Sequence, residues 1–172
     1  MANHKLILMR HAKSDWSTGA RSDFDRPLAN RGRKDAPRMG RWLHEQALHP
    51  DKFISSPARR TRETAECVAA ALGFPQGEIV WEQRIYEGSL NDLLAVVNTH
   101  GPDAEQLLLI AHNPGLDTLL EYLLRDQAQL SSTGKLMTTA AVAVLDFGSG
   151  PINTKPAAAR LEYLVRPREL GA

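Results

Sequence analysis

Two histidines in this chain each follow a short hydrophobic run. His11 comes after residues 5–9 and Arg10, and His112 comes directly after residues 107–111. Apolar runs of this length are typical of buried strands in an α/β sheet. Because the ligands of such sheets bind beyond the carboxyl ends of the strands, we expect both imidazoles at one edge of the sheet.

Two dipeptides, each a small polar residue followed by proline, lie shortly after predicted strands, and both indicate an anion site. Ser56-Pro57 and Asn113-Pro114 each predict the start of a helix, with the first residue as the cap and proline in the first turn. Such turns present unpaired backbone N–H groups and the positive end of a helix dipole, which favour phosphate. The alternative is that both dipeptides act only as helix caps.

Arg60 is the arginine of the second segment whose helical position favours the sheet edge. It lies on a row of small residues that flank the apolar stripe of the helix, whereas Arg59 and Arg62 fall on the solvated side. Arginine binds phosphate oxygens with two parallel N–H groups. We therefore expect Arg60 to point towards the predicted anion site.

His11 is a candidate nucleophile rather than only a strand-end residue. Arg10 precedes it, and neighbouring guanidinium groups favour the neutral form of an imidazole. A neutral imidazole nitrogen attacks phosphorus, and Arg10 and Arg60 can hold the oxygens of the phosphoryl group. His112, if protonated, adds a further positive charge.

The composition limits the class of protein. The 172 residues favour one domain spanning residues 1–172, and the formal net charge of +1 gives no field that would recruit nucleic acid. Cys67 is the only cysteine, which fits a reducing cytoplasm. We find no signal-like region, no apolar stretch near the about 20 residues that span a bilayer, and no clustered metal ligands. The sequence predicts a cytoplasmic protein without a membrane segment and leaves the oligomeric state open.

The hydrophobic periodicity predicts alternating strands and helices. Strands are expected over residues 4–10, 52–55, 79–81, 107–111, 140–147 and 161–165, and helices over residues 31–48, 57–72, 90–98 and 114–124. This alternation predicts an α/β fold, a three-layer α/β/α sandwich with a mostly parallel central sheet.

Three motifs, in this order, resemble the signatures of the histidine phosphatase superfamily, which has the phosphoglycerate mutase-like fold. They are Arg10-His11-Ala12, Ser56-Pro57-x-x-Arg60-x-x-Glu63-Thr64-Ala65 and Ala111-His112-Asn113-Pro114-Gly115. Residues 10–16 and 25–28 are most similar to its phosphohistidine phosphatase, or SixA-like, branch. The resemblance implies that His11 is transiently phosphorylated and then hydrolysed by water. It also implies that Arg10, Arg60 and His112 hold the phosphoryl group, and that no metal or cofactor takes part.

Some positions depart from the family pattern or have a second interpretation. Ala12 stands where the usual motif has glycine, and Ser17 stands where many members carry an asparagine that contacts phosphate. We retain Ser17 as a candidate substrate-binding residue, together with Asp23, Arg26 and Asn113. Arg26 would line the rim of the pocket or form an ordinary surface pair with an aspartate.

The proton donor is left open among four carboxyl groups. Glu87 is the best placed, since in larger members of the family a glutamate after the third strand protonates the leaving oxygen; a surface glutamate is the alternative interpretation. Glu82, Asp15 and Asp23 are the other candidates. A phosphohistidine substrate would need little help from an acid, because its P–N bond is labile once the imidazole is protonated.

These observations favour a metal-independent phosphatase that hydrolyses phosphohistidine on a protein partner through a phospho-enzyme at His11. The segment 81–90 is short and no long insertion follows His112, so we expect an open pocket that admits a protein side chain. One alternative is a phosphatase of small phosphomonoesters or sugar phosphates. Another is a non-catalytic phosphate-binding module, since fold does not determine function.

Overall fold

The computed structural model describes residues 2–170. Its strands are β1 (Lys5–Arg10), β2 (Lys52–Ser55), β3 (Val80–Trp81), β4 (Gln106–Ala111), β5 (Val142–Asp146) and β6 (Arg160–Val165). Its α-helices are α1 (Asn30–Glu45), α2 (Arg59–Leu72), α3 (Leu90–His100) and α4 (Gly115–Leu123), and short 3-10 turns cover Gln76–Glu78, Gln83–Ile85 and Pro167–Leu170. The predicted elements are all present, with ends that shift by a few residues.

The strands form one sheet in the order β3-β2-β4-β1-β5-β6. The pairs among β1, β2, β3 and β4 are parallel, whereas β5 runs antiparallel to both β1 and β6. Arg10 and Ala111 are register partners at the ends of β1 and β4. His11 and His112, the next residues of the two strands, therefore lie next to each other at the same edge of the sheet, as predicted.

Alternate residues of β1 serve two separate hydrophobic cores. Leu6 and Leu8 belong to the core that includes residues of α3 and α4. Ile7 and Met9 belong to the core that includes residues of α1 and α2. All four side chains are fully buried, and each such burial stabilises the fold by about 1.5–3 kcal/mol. Two helical layers thus enclose the sheet, which confirms the three-layer sandwich.

The two proline turns differ in detail from the prediction. α2 begins at Arg59 rather than Pro57, and the hydroxyl of Ser56 accepts a hydrogen bond from the Ala58 N–H at 3.3 Å. α4 begins at Gly115, so both prolines precede their helices. The N-cap residues are Ala58 and Pro114, so the prediction that Ser56 and Asn113 occupy these positions is wrong. The side chain of Ser56 instead contacts His112.

The loop after β1 is held against the start of α1. The Ala29 N–H donates to the carbonyl oxygen of Lys13 at 2.8 Å. Gly32 is required at its position, since a Cβ there would overlap the same carbonyl oxygen. This close approach orders the chain that follows His11.

None of the helices within residues 2–170 is long and apolar enough to cross a membrane.

Candidate active site

His11 is held in one orientation by its own backbone surroundings. Its side chain is only 7% exposed, and its Nδ1 lies 2.8 Å from the carbonyl oxygen of Ala12. A carbonyl oxygen can only accept, so Nδ1 carries the proton and Nε2 keeps its lone pair. The structure therefore identifies Nε2 as the nitrogen available for attack.

His11 is neutral at physiological pH. Burial lowers its pKa from 6.5 to about 3, and the positive charges of Arg60 and Arg10 act in the same direction. The neutral state agrees with the expectation from the sequence, but desolvation rather than the neighbouring arginines is the main cause.

His112 lies against His11, with the two ring centroids 5.4 Å apart. Its Nε2 is 2.8 Å from the hydroxyl oxygen of Ser56. Burial, followed by the charge of Arg60, lowers the pKa of His112 to about 3. His112 is thus neutral in the protein alone, and a bound phosphoryl dianion is what would favour its protonated form.

Asp23 joins two arginines at the edge of the site. Arg60 donates from Nη1 to the backbone oxygen of Asp23 at 2.8 Å and from Nη2 to its carboxylate at 3.0 Å. Arg26 donates to the other carboxylate oxygen at 2.8 Å, and its second Nη contacts the hydroxyl of Ser14. The Arg26 hydrogen bond is the main reason that the pKa of Asp23 falls to about 2. Asp23 is therefore ionised at neutral pH, which does not favour it as the proton donor.

Arg26 is not the ordinary surface residue of the alternative interpretation. Its side chain is buried, and its guanidinium stacks 3.6 Å from the ring centroid of Trp16. Trp16 itself is 74% exposed. Arg26 thus forms part of the wall of the site, with an aromatic ring on its outer side.

Arg10 contacts the loop before β5. Its Nη1 donates to the carbonyl oxygen of Met137 at 3.1 Å. Burial lowers the pKa of Arg10, and the negative charge of Asp117 opposes that effect. The positive charge of Arg10 helps to lower the pKa of both His11 and His112.

Several buried nitrogens of the site have no hydrogen-bond partner within residues 2–170. These are the Nε atoms of Arg10, Arg26 and Arg60 and the Nδ1 atom of His112. A buried donor without a partner costs about 1–3 kcal/mol. The site therefore buries more polar nitrogen atoms than the described residues satisfy with hydrogen bonds.

Two predicted substrate-binding residues are engaged elsewhere. The hydroxyl and N–H of the exposed Ser17 both donate to Asp15, at 2.6 and 2.8 Å, in a local turn. The amide of Asn113 donates to the carbonyl oxygen of Met137 at 2.9 Å, and its oxygen accepts from the Asp117 N–H at 3.1 Å. Their polar atoms are thus used by the loops, and a direct role in substrate binding is not favoured.

The hydrogen-bond partners of Glu82 and Asp15 decide whether these carboxyl groups can donate a proton. Glu82 is paired with Arg84 at 3.0 Å and lies 3.3 Å from His100, and the Arg84 hydrogen bond is the main cause that lowers its pKa to about 2. Hydrogen bonds from Ser17 likewise lower the pKa of Asp15. Glu82 and Asp15 are therefore poor proton donors at neutral pH.

Glu87 is exposed, and its backbone has a positive φ of 55°. Burial is the main cause that raises the pKa of Tyr86 to about 12, and the carboxylate of Glu87 acts in the same direction. Glu87 thus lies beside the Tyr86 ring, whose centroid is 5.6 Å from that of His112. It is the carboxyl group that remains as a candidate acid.

Two further residues of the site have a role that the sequence did not indicate. The hydroxyl of Tyr86 donates to the Asp23 carboxylate at 2.9 Å. Thr64 accepts from the Ala12 N–H at 3.0 Å and donates to the carbonyl oxygen of Arg60 at 2.7 Å. Thr64 lies on the same helix row as Arg60, but only the folded chain brings Ala12 to it.

Among residues 2–170, no group of three His, Cys, Asp or Glu side chains is arranged to hold a metal ion.

Residues 6–96 match the family model of the histidine phosphatase superfamily (branch 1). The chain belongs to this superfamily. An uncharacterised chloroplast protein of Arabidopsis thaliana is 28% identical over 177 residues, which cover 96% of this chain and 78% of the relative.

Solved structures show the same fold. The protein histidine phosphatase SixA complexed with tungstate superimposes with a TM-score of 0.80 at 21% identity, over 97% of this chain and 99% of the other. The mycobacterial glucosyl-3-phosphoglycerate phosphatase superimposes with a TM-score of 0.65 at 18% identity, over 93% and 97%. The fold of this superfamily member is therefore SixA-like and phosphoglycerate mutase-like, as the motifs predicted.

Proposed function

We propose that this chain is a metal-independent phosphatase that hydrolyses phosphohistidine on a protein partner through a covalent phosphohistidine at His11. One observation carries the proposal: Nε2 of the neutral His11 has no proton, and this ring lies beside His112 in a site whose walls contain the guanidinium groups of Arg26 and Arg60. This arrangement supports a nucleophile with cationic groups around it that can bind an oxyanion. A module that only binds phosphate has no need of the nucleophile.

The reaction has two displacements at phosphorus. The Nε2 lone pair of His11 forms a bond to phosphorus while the P–N bond of the substrate breaks, and the departing imidazole takes a proton from the acid, for which Glu87 is the candidate. Water then attacks the phosphorus of the phospho-enzyme and returns a proton to that carboxylate, and the bond to Nε2 breaks. Inorganic phosphate leaves and His11 returns to its neutral form.

The arginines stabilise the charge that spreads over the phosphoryl oxygens in both steps. Arg10 and Arg60 are the proposed clamp, and Arg26 and His112 supply further donors. Because these groups are buried and held by protein contacts, they need little reorganisation when the transition state forms. The hydrogen bond from Nδ1 to Ala12 keeps the attacking nitrogen directed at the phosphorus.

The exposed rim of the site supports a protein substrate. Trp16 and the Asp23 side chain, 42% exposed, lie at this rim. The SixA structure, whose name is that of a protein histidine phosphatase, has the higher TM-score of the two neighbours described above. The mycobacterial neighbour favours the second candidate, a phosphatase of small phosphomonoesters or sugar phosphates.

Phosphate release from a histidine-phosphorylated protein, measured with EDTA present, tests the proposal. We expect turnover by the wild type and by His49→Ala, an exposed histidine used as the control. His11→Ala should lose nearly all activity, because the covalent step is removed. Labelled substrate should leave a phosphoryl group on the wild type and none on His11→Ala.

Two outcomes would reject the proposal. Full turnover by His11→Ala would remove the covalent mechanism. A higher kcat/KM for small phosphate esters than for the phosphohistidine protein would favour the second candidate.

A further inference from the structure

A basic groove of about 590 Å³ is lined by Arg10 but not by His11 or His112. Its walls come from the chain after β1, from α1, from residues 131–139 and from the C-terminal turn Pro167–Leu170. Seven arginine or lysine side chains line it, against two carboxylates. This excess of positive charge is local, since the whole chain has a formal net charge of only +1.

The two carboxylates of the groove are already neutralised. Glu169 pairs with Arg166 at 3.0 Å, and Asp35 lies 3.7 Å from Arg31. Five cations of the groove therefore form no salt bridge within residues 2–170. They are Arg10, Lys13, Arg38, Lys135 and Arg168.

The walls of the groove are held in place by hydrogen bonds. The buried Arg166 donates to the carbonyl oxygens of Leu136 at 3.0 Å and Gln129 at 2.7 Å, which fixes the segment that carries Lys135. Arg31 donates to the hydroxyl of Thr139 at 3.3 Å, so α1 and this segment are joined. The segments that carry these cations are therefore held in place by hydrogen bonds within the chain itself.

We propose that this groove binds acidic side chains that flank the phosphohistidine of a protein substrate. The inference rests on the proposed function, because Arg10 is both a wall of the groove and part of the phosphoryl clamp. Pockets for small molecules are mostly apolar with a few polar groups, whereas this one is rich in charge. Its cations are spread over four chain segments, which suits several carboxylates better than one compact ligand. Complementary charge of this kind raises the rate at which the right partner associates.

Two synthetic peptides of equal length test the inference. Each carries one phosphohistidine, flanked in one peptide by three glutamates and in the other by three glutamines. The wild type should hydrolyse the acidic peptide with a kcat/KM about tenfold higher. High salt should reduce this preference, since the groove is open to solvent.

A combined variant, Arg38→Gln with Lys135→Gln and Arg168→Gln, should lose the preference through KM while its kcat/KM for the neutral peptide stays within about twofold of the wild type. The matched control neutralises three exposed cations outside the groove and should keep the preference. Its substitutions are Arg41→Gln, Arg62→Gln and Lys155→Gln.

Three results overturn the inference. They are equal turnover of both peptides by the wild type, a preference that survives in the groove variant, and an equal loss on both peptides. If the wild type hydrolyses neither peptide but does hydrolyse small phosphate esters, the proposed function fails as well. The two failures are therefore told apart by turnover of the neutral peptide.

Discussion

Arg60 and Asp23 are joined at two points across 37 residues of sequence: one N–H group meets the backbone oxygen of Asp23 at 2.8 Å and another meets its carboxylate at 3.0 Å. The guanidinium proposed to hold the phosphoryl group is thus oriented by a carboxylate before substrate arrives. Asp23 is a positioning residue in this arrangement.

Replacement of Asp23 by asparagine should lower kcat/KM about tenfold. A neutral amide oxygen accepts a weaker hydrogen bond than a carboxylate, so Arg60 and Arg26 are held less firmly. Steady-state kinetics on phosphohistidine peptide measures the effect. Asp25→Asn is the control, because Asp25 is exposed and its side chain accepts only from Ser22 within residues 2–170; an equal loss in both variants would contradict the role of Asp23.

Ser56→Ala should lower kcat/KM about fivefold. The hydroxyl of Ser56 lies 2.8 Å from Nε2 of His112, and the loss of one such hydrogen bond costs about 1 kcal/mol. Ser55→Ala is the matched control, since Ser55 is also buried but bonds to a backbone oxygen. Kinetics and thermal unfolding of both variants should show that Ser56→Ala affects activity more than Ser55→Ala does. Wild-type activity in Ser56→Ala would show that His112 needs no partner here.

Thr64→Val should lower the free energy of unfolding by about 1–3 kcal/mol, because the buried N–H of Ala12 loses its acceptor. Urea unfolding measures this change. Thr61→Val is the comparison. The Thr61 hydroxyl only donates to the Ala58 carbonyl oxygen, so its removal leaves no buried N–H group without an acceptor. Ala12 also orients the His11 ring, so kcat should fall in Thr64→Val. A smaller loss of stability than in Thr61→Val would contradict the assignment.

Glu87→Gln should reduce kcat for an alkyl phosphate more than for a phosphohistidine peptide. An alkoxide is a poor leaving group and needs the proton that we assign to Glu87, whereas an imidazole is a better one. We expect a loss of about a hundredfold on the ester and less than about tenfold on the peptide. Glu66→Gln, on the exposed side of α2, serves as the control. Equal losses on both substrates would show that Glu87 is not the acid.

Stability should decrease as the pH falls from 7 to 5 in phosphate-free buffer. His11 and His112 have pKa values of about 3 in the folded chain and about 6.5 when unfolded, so only the unfolded chain binds protons in this range. The expected loss is about 2 kcal/mol for each imidazole. Urea unfolding at both pH values measures it.

His11→Gln should show a smaller decrease between pH 7 and pH 5 than the wild type, and His49→Gln should show the same decrease. Added phosphate should raise stability at pH 5, because a bound anion favours protonated His112. An unchanged pH dependence in His11→Gln would show that His11 is not buried in its neutral form.

The sequence by itself determines the layers of the fold and the four central residues of the candidate site. Apolar runs and helical periodicity are local patterns, and parallel strands must end at a common edge. His11, His112 and Arg10 follow directly from the ends of β1 and β4, and Arg60 follows from its helix row. These patterns predict the edge of the sheet at which the four residues lie, and the pairing of β1 with β4 then brings the two histidines together.

Tertiary structure alone decides how each side chain is used. Tyr86 meets Asp23 across 63 residues, and Ala12 meets Thr64 across 52. The same packing directs the polar atoms of Ser17 and Asn113 into loops and leaves Nε2 of His11 unprotonated. Hydrogen-bond partners and desolvation depend on every layer being in place, so no local pattern encodes them.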